Sequence, residues 1–313
     1  MMLSVSRVLT AALVFSAIAA PEAHALSGGV ADKDDLYPYV VKITFRKRLV
    51  CSGTVLYPRI VVTAAHCVGR VVDAKARRFA QDTWPVKQFA VVTVVAGKIT
   101  STPAQEILLP PGWRAAANEP NALGRYAYDL ALIITKDPIE VALPNSLAKL
   151  PSDMGRALGD ASPPSMDEAL ATGLNKRGVM IGFGAENCSA DQRCGRVGTR
   201  RYREVELRDP VTCFNDALDA RAPGAKLDKG IAGALPFSVW CTDWGVMPGD
   251  SGGTLLVEGP NDTLYFAGVI SSHWGSYAAH VKKAEADKRS FATALYPSLD
   301  FITDAARRLG YIP

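Results

Sequence analysis

No stretch of this sequence is apolar for long enough to cross a membrane as a helix. The longest apolar run, Val8 to Ala20, covers 13 residues and includes Thr10 and Ser16, where a span requires roughly 20. An excess of one charge is missing too. The 35 basic residues exceed the 31 acidic ones by a net +4, too little to point to nucleic acid as the main partner. There is no repeat of solenoid period and no low-complexity tract. His and Cys do not cluster at metal-ligand spacing, so a metal-dependent hydrolase finds no ligand set, and no metal or other cofactor is expected. Cysteine is sparse, six in 313 residues, too thin for a small scaffold stapled by disulfides.

What is present describes a folded chain. Hydrophobic residues make up 48% and charged residues 21%, a balance that excludes disordered and collagen-like chains. A chain this long buries a sizeable core without staples, and its length sets a prior of about two domains.

Residues 1–25 read as a secretory signal peptide. Arg7 gives a positive start, Val8 to Ala20 the apolar stretch, Pro21 its end, and Ala23-His24-Ala25 a small-x-small cleavage site. Ala17-Ile18-Ala19 offers an earlier cut. The mature chain, 26–313, is therefore expected to be exported, extracellular or periplasmic, and free of the membrane, in a compartment that permits disulfides.

The mature chain reads as short β-strands between turn residues. Candidates are Pro38 to Arg46, Val50 to Tyr57, Ile60 to Ala64, Phe89 to Gly97, Gln105 to Leu109 and Asp129 to Thr135. After a connector at 151–177 they resume at Gly178 to Phe183, Arg201 to Leu207, Thr254 to Val257 and Leu264 to Ser271. Many short strands with frequent turn signals predict an all-β chain of barrels or sandwiches. From Ser298 to Leu309 the apolar residues at 299, 301, 302, 305, 306 and 309 predict a terminal amphipathic helix. The charged runs Arg46-Lys47-Arg48 and Arg77-Arg78 read as solvated faces.

Three strings carry chemistry. Val61-Val62-Thr63-Ala64-Ala65-His66-Cys67 ends an apolar strand in a His, Tyr128-Asp129-Leu130-Ala131-Leu132-Ile133 begins one with an Asp, and Gly249-Asp250-Ser251-Gly252-Gly253 sets a Ser in a Gly-rich turn. A Ser hydroxyl needs a neighbouring base to become a nucleophile, and His suits that task because its pKa lies near neutral. The His in turn needs a carboxylate to fix its tautomer and stabilise the imidazolium. Glycines beside the Ser let backbone N–H groups face a developing oxyanion. Taken singly, the Asp and the His are weak signals, and the Gly-rich string is the strongest of the three.

Together the strings resemble the chymotrypsin-like (trypsin-fold) serine protease family in its secreted, bacterial-type form. Thr63-Ala64-Ala65-His66-Cys67 and Gly249-Asp250-Ser251-Gly252-Gly253 match the family's boxes unaltered. Leu26-Ser27-Gly28-Gly29 is similar to the family's mature Ile-Val-Gly-Gly start, Gly182-Phe183-Gly184 to its Gly-Trp-Gly element, and Leu299-Asp300-Phe301-Ile302 to the opening of its last helix. The resemblance implies two six-stranded antiparallel β-barrels packed around an active-site cleft, with a C-terminal α-helix. The barrels are expected at about 26–150 and 178–296 and the helix at about 297–310.

The resemblance also assigns roles. Ser251 becomes the nucleophile, His66 the general acid/base, Asp129 its orienting carboxylate, and the N–H groups of Gly249 and Ser251 the oxyanion hole. A new N-terminal ammonium at Leu26 is expected to pair with Asp250, released by signal cleavage without a separate propeptide. Six cysteines leave many pairings open, and the family pattern implies Cys51 with Cys67 and Cys213 with Cys241, leaving Cys188 with Cys194. Gly245 falls where the family places the base of the primary pocket, which disfavours tryptic specificity and suits a small or apolar side chain, although Asp243 lies two residues away. Ser271 or Ser272 is expected behind Asp129, with Ser271 and His273 beside the pocket. Surplus length near 151–177, 214–238 and Tyr277 to Arg289 reads as loop insertions. The implied partners are a peptide or protein substrate and a protein inhibitor. The implied activity is that of a secreted serine endopeptidase. The alternative is a catalytically impaired protease-like binding protein, suggested by the substituted N-terminus and by Thr254 where the family usually has Pro.

Overall fold

The computed structural model describes residues 26, 29–73, 78–117, 127–143, 177–185, 198–219, 224, 226, 238–243, 245–258, 264–273 and 289–312. The expected signal peptide, nearly all of the 151–177 connector, Cys188, Cys194 and residues 277–288 lie outside them.

The first half runs β1 (Val30–Ala31), β2 (Val40–Phe45), β3 (Arg48–Tyr57), β4 (Ile60–Thr63), a helical turn α1 (Ala65–Val68), β5 (Gly69–Asp73), β6 (Arg78–Thr83), β7 (Phe89–Val95), β8 (Lys98–Leu108), α2 (Pro111–Ala116) and β9 (Ala131–Thr135). The second half runs β10 (Arg177–Gly182), β11 (Arg201–Arg208), α3 (Pro210–Asp219), β12 (Val239–Thr242), β13 (Thr254–Glu258), β14 (Leu264–His273), β15 (Ser290–Ala294) and α4 (Leu299–Arg308).

Two closed six-stranded antiparallel barrels result. The first has the order β2-β3-β4-β9-β8-β7, with β7 returning to β2. The second has the order β11-β10-β13-β14-β15-β12, with β12 returning to β11. Closure removes the free sheet edges that an open sheet would leave. β1 lies in the stretch assigned by sequence to the first barrel, yet it pairs with β11 of the second. The N-terminal segment therefore straddles both barrels.

The apolar runs behave as barrel walls. Every residue of β4 and β9 is buried, because these strands face the barrel interior on one side and covering side chains on the other. One large cluster joins Val41, Ile133 and Trp113 of the first half to Phe183, Phe266 and Ile302 of the second. The α4 helix buries Leu299, Ile302, Ala305 and Ala306, the stripe that its apolar spacing predicts. Its Arg308 makes a two-pronged bond to Glu106 of β8.

The departures have local causes. β8 begins at Lys98, well before the predicted Gln105; Lys98 to Ser101 is exposed throughout and, with Ile99 its one apolar residue, carries no apolar alternation to signal a strand. β15 has no alternation either, since all five of its residues are buried between β14 and β12. Its small residues hide it from a pattern search, and β12 is too short, at four residues, to show a period. The β5–β6 hairpin forms a separate two-stranded sheet, and α3 forms after Asp209, whose carboxylate accepts the Thr212 N–H at 2.6 Å. Arg46, Lys47 and Arg48 are exposed, as a solvated run should be, and Arg46 and Lys47, with positive φ of 50° and 65°, make the tight turn between β2 and β3.

Candidate active site

Strand register brings His66 to Asp129. β4 and β9 pair with Thr63 opposite Ala131, so the antiparallel count continues past the strand ends and sets α1 against residue 129. The Asp129 carboxylate accepts the His66 backbone N–H through Oδ1 at 2.8 Å and meets Nδ1 through Oδ2 at 2.7 Å. This double contact fixes both the backbone and the ring. The Cys51–Cys67 disulfide ties β3 to α1 next to His66.

Asp129 is buried while the His66 ring is partly exposed, at 28% of its side-chain surface. Burial alone would push the Asp129 carboxyl up. The His66 imidazole, the Ser271 hydroxyl and the His66 N–H outweigh it and hold the carboxyl below its usual range. Ser271 is 2% exposed, and its hydroxyl donates to Asp129 Oδ2. Of the two serines left open by the sequence, Ser271 therefore stands behind Asp129.

Ser251 sits in the turn between Met247 and β13. Its backbone carbonyl accepts the Ser52 N–H at 2.7 Å, which fastens the turn to the first barrel. Its hydroxyl donates to the Ser271 carbonyl at 3.3 Å. Ser271 thus touches Asp129 with its side chain and Ser251 with its backbone, joining the two halves of the site. Gly249 has a φ of +98°, open to glycine and costly for other residues. Among the described residues, neither the Gly249 N–H nor the Ser251 N–H finds an acceptor.

Gly252 is a glycine for lack of room. A Cβ there would fall 2.2 Å from both the Ser52 carbonyl and the Thr63 hydroxyl, and its φ is +83°. Gly252→Ala is expected to lower folding stability by at least about 3 kcal/mol, from overpacking plus a left-handed backbone. The midpoint of chemical denaturation measures this, and a midpoint unchanged from the parent would refute the packing argument.

Leu26 is fully buried, and its backbone nitrogen lies 3.2 Å from Asp250 Oδ2. Burial pushes the Asp250 carboxyl up to about 6, against N–H groups of Met247, Gly184 and Leu26 that favour the charged form. Leu26 and Asp250 are thus in contact through the backbone N–H of Leu26.

The remaining candidates divide. Gly245 is buried at the start of the Met247 turn. Asp243 accepts the Glu206 N–H of β11 at 2.9 Å, which engages its carboxylate at that strand. His273 ends β14 opposite Ser290; its side chain lies outside the description. Thr254, a departure from the family pattern, is buried and shares a 2.5 Å hydrogen bond with Thr54 across the two barrels. Cys213 and Cys241 form a second disulfide. Cys51, His66 and Cys67 bring ligand-type atoms within 4.8 Å of one another, but the two sulfurs are bonded together.

Two residues of the site carry no sequence signal. Ser52 is fully buried; its hydroxyl donates to the Gly249 carbonyl at 2.7 Å and accepts the Phe183 N–H at 2.9 Å. Arg200 is a buried cation beside the N-terminal segment. Both look like ordinary polar residues until the fold buries them.

A sequence model of the family described as Trypsin matches residues 26–302. The matched stretch begins at the buried Leu26 and ends inside α4.

Proposed function

The chain belongs to the trypsin family of serine proteases, and from that premise we propose that it is an exported serine endopeptidase working through Ser251, His66 and Asp129. The observation that carries this reading is Ser271, whose hydroxyl and carbonyl link Asp129 to Ser251 at one place between the barrels. Ser251 Oγ attacks the scissile carbonyl carbon while His66 Nε2 takes its proton. The imidazolium then protonates the leaving amine, and water repeats the sequence on the acyl-enzyme. In this structure the Ser251 hydroxyl donates to the Ser271 carbonyl over a long 3.3 Å, and this mechanism requires it to leave that weak bond and turn to His66. The Gly249 and Ser251 N–H groups receive the oxyanion.

Peptide or protein is the substrate class, and a protein inhibitor fits the same cleft. Gly245 at the pocket base favours a small or apolar side chain over Lys or Arg, and the engagement of Asp243 by β11 supports this. Two disulfides suit an oxidising compartment. Among the described residues, no helix is long and apolar enough to cross a membrane. The test is cleavage of a peptide library by the purified 26–313 form, with Ser251→Ala as control. Cleavage after small or apolar residues in the parent alone is expected, and equal cleavage by the variant would refute the assignment.

The Leu26 amine supplies a pH signature. In the form that begins at Leu26, an ammonium replaces the amide beside Asp250. Its charge draws the carboxyl down from about 6, and the carboxylate holds the amine above its ordinary value of about 8. A cation with a raised pKa contributes stability in full below its ordinary value and loses it as the pH climbs through the raised one. Activity is therefore expected to fall above roughly pH 8 to 9. A form that retains Ala25 should be weakly active throughout and lack this alkaline limb. Rate against pH for the two forms checks this, and identical profiles would contradict it.

A further inference from the structure

We propose that Arg200 is a positioning residue for the N-terminus, a clasp that holds the segment behind Leu26 in the place where the Leu26 nitrogen reaches Asp250. The proposal rests on Leu26 being the mature N-terminus, as argued above.

Arg200 lies just before β11 in the second barrel, and its side chain is 3% exposed. Its Nε donates to Asp32 Oδ2 at 2.6 Å, and another guanidinium nitrogen bonds Asp35. Both acids belong to the short stretch between β1 and β2. The third guanidinium nitrogen donates to the Val94 carbonyl of β7 at 3.0 Å and approaches the Val40 carbonyl of β2 at 3.5 Å. One cation therefore grips the N-terminal segment and the first barrel at once. A buried cation is costly unless such partners are all in place.

The flanking backbone and the Arg201 guanidinium repeat the grip. The Asp32 N–H donates to the Arg200 carbonyl at 2.9 Å, Arg201 donates to the Gly29 carbonyl at 2.9 Å, and Val30 pairs with Tyr202. Asp32 also accepts the N–H groups of Leu36 and Tyr37, which shapes the turn behind the segment.

The clasp abuts the Asp250 pocket. The Arg200 guanidinium stands 5.9 Å from the Phe183 ring centre, and the next residue, Gly184, donates its N–H to Asp250 Oδ1 at 2.7 Å. The Phe183 N–H is bound by Ser52, which also holds the Gly249 carbonyl. Loosening Arg200 frees the segment that carries Leu26 and disturbs the neighbour of the Asp250 cradle. A fork with several donors is needed to hold two carboxylates and a carbonyl together, so lysine is an incomplete substitute.

The experiment labels the Leu26 amine of folded protein by reductive methylation, read by mass spectrometry, in a Ser251→Ala background that removes self-cleavage. The parent amine is expected to be protected at least about tenfold relative to the urea-unfolded chain, as a rarely exposed state requires. Arg200→Gln should label nearly as fast as an unfolded chain while the circular dichroism stays native, and Arg200→Lys should fall between. With Ser251 restored, Arg200→Gln should lower kcat by about tenfold or more and leave KM little changed, because fewer molecules hold the competent state. A protected amine and parental kcat in Arg200→Gln overturn the clasp and leave the Leu26 reading standing. A freely labelled parent overturns both. If Arg200→Gln does not fold, Asp35→Asn removes one arm at a partly exposed position; faster labelling and lower kcat support the clasp, and parental values overturn it.

Discussion

Ser251→Ala is expected to lower peptide turnover by the 26–313 form by about a millionfold. Each factor of ten is about 1.36 kcal/mol of barrier, so the loss amounts to about 8 kcal/mol. Stability should hardly move. The hydroxyl makes one long bond, 3.3 Å to the Ser271 carbonyl, and a bond of that kind is worth at most about 1 kcal/mol. The turn itself stays fastened, because the Ser52 N–H binds the Ser251 carbonyl at 2.7 Å and is untouched by the change. A variant of parental melting temperature without activity thus isolates chemistry from folding. A loss below about a hundredfold would mean that Ser251 is not the nucleophile, since a residual rate that high exceeds what binding and oxyanion contacts supply.

Asp129→Asn should cost about ten-thousandfold in kcat. The reason lies in the donors around the carboxylate. Oδ2 faces both His66 Nδ1 and the Ser271 hydroxyl, and Oδ1 faces the His66 N–H. All three groups can donate, and a carboxylate accepts from each. An amide has one oxygen and one NH2. With its oxygen on the His66 N–H, the NH2 meets Nδ1, which must then present its lone pair. The ring proton moves to Nε2, and Nε2 can no longer take the Ser251 proton. With the amide flipped, its NH2 faces a buried N–H, at a cost of about 1–3 kcal/mol for the unpaired donor. Proton NMR of the variant should therefore lose the downfield Nδ1 proton. Retention of that proton together with full turnover would refute this account of Asp129.

Much of this was legible in the residues. Four of the first barrel's six strands, β2, β4, β7 and β9, fall within their predicted runs because their apolar and β-branched residues are bounded by turns, while β3 and β8 start earlier than predicted. The second barrel hid β12 and β15, one too short and the other too rich in small buried residues to show a period. Residue strings pointed to His66, Asp129 and Ser251 because each has a chemical requirement written beside it: a strand end, a strand start, a Gly-rich turn. Ser52, Arg200 and Asp32 had no such neighbours. Their importance comes from contacts between residues more than a hundred positions apart, which only the closing of two barrels creates. The same long-range pairing explains Thr254, which exchanges a hydrogen bond with Thr54 where the family pattern has Pro.

The central claim is that Ser251 is activated by His66 in the chain that starts at Leu26. Its most direct test is treatment of that purified form with a fluorophosphonate probe, followed by peptide mapping by mass spectrometry. The account predicts one adduct per chain, on Ser251, absent from His66→Ala and from protein unfolded before treatment. No adduct on folded parental protein, or an adduct on another serine, would contradict it and favour a binding protein with an impaired site.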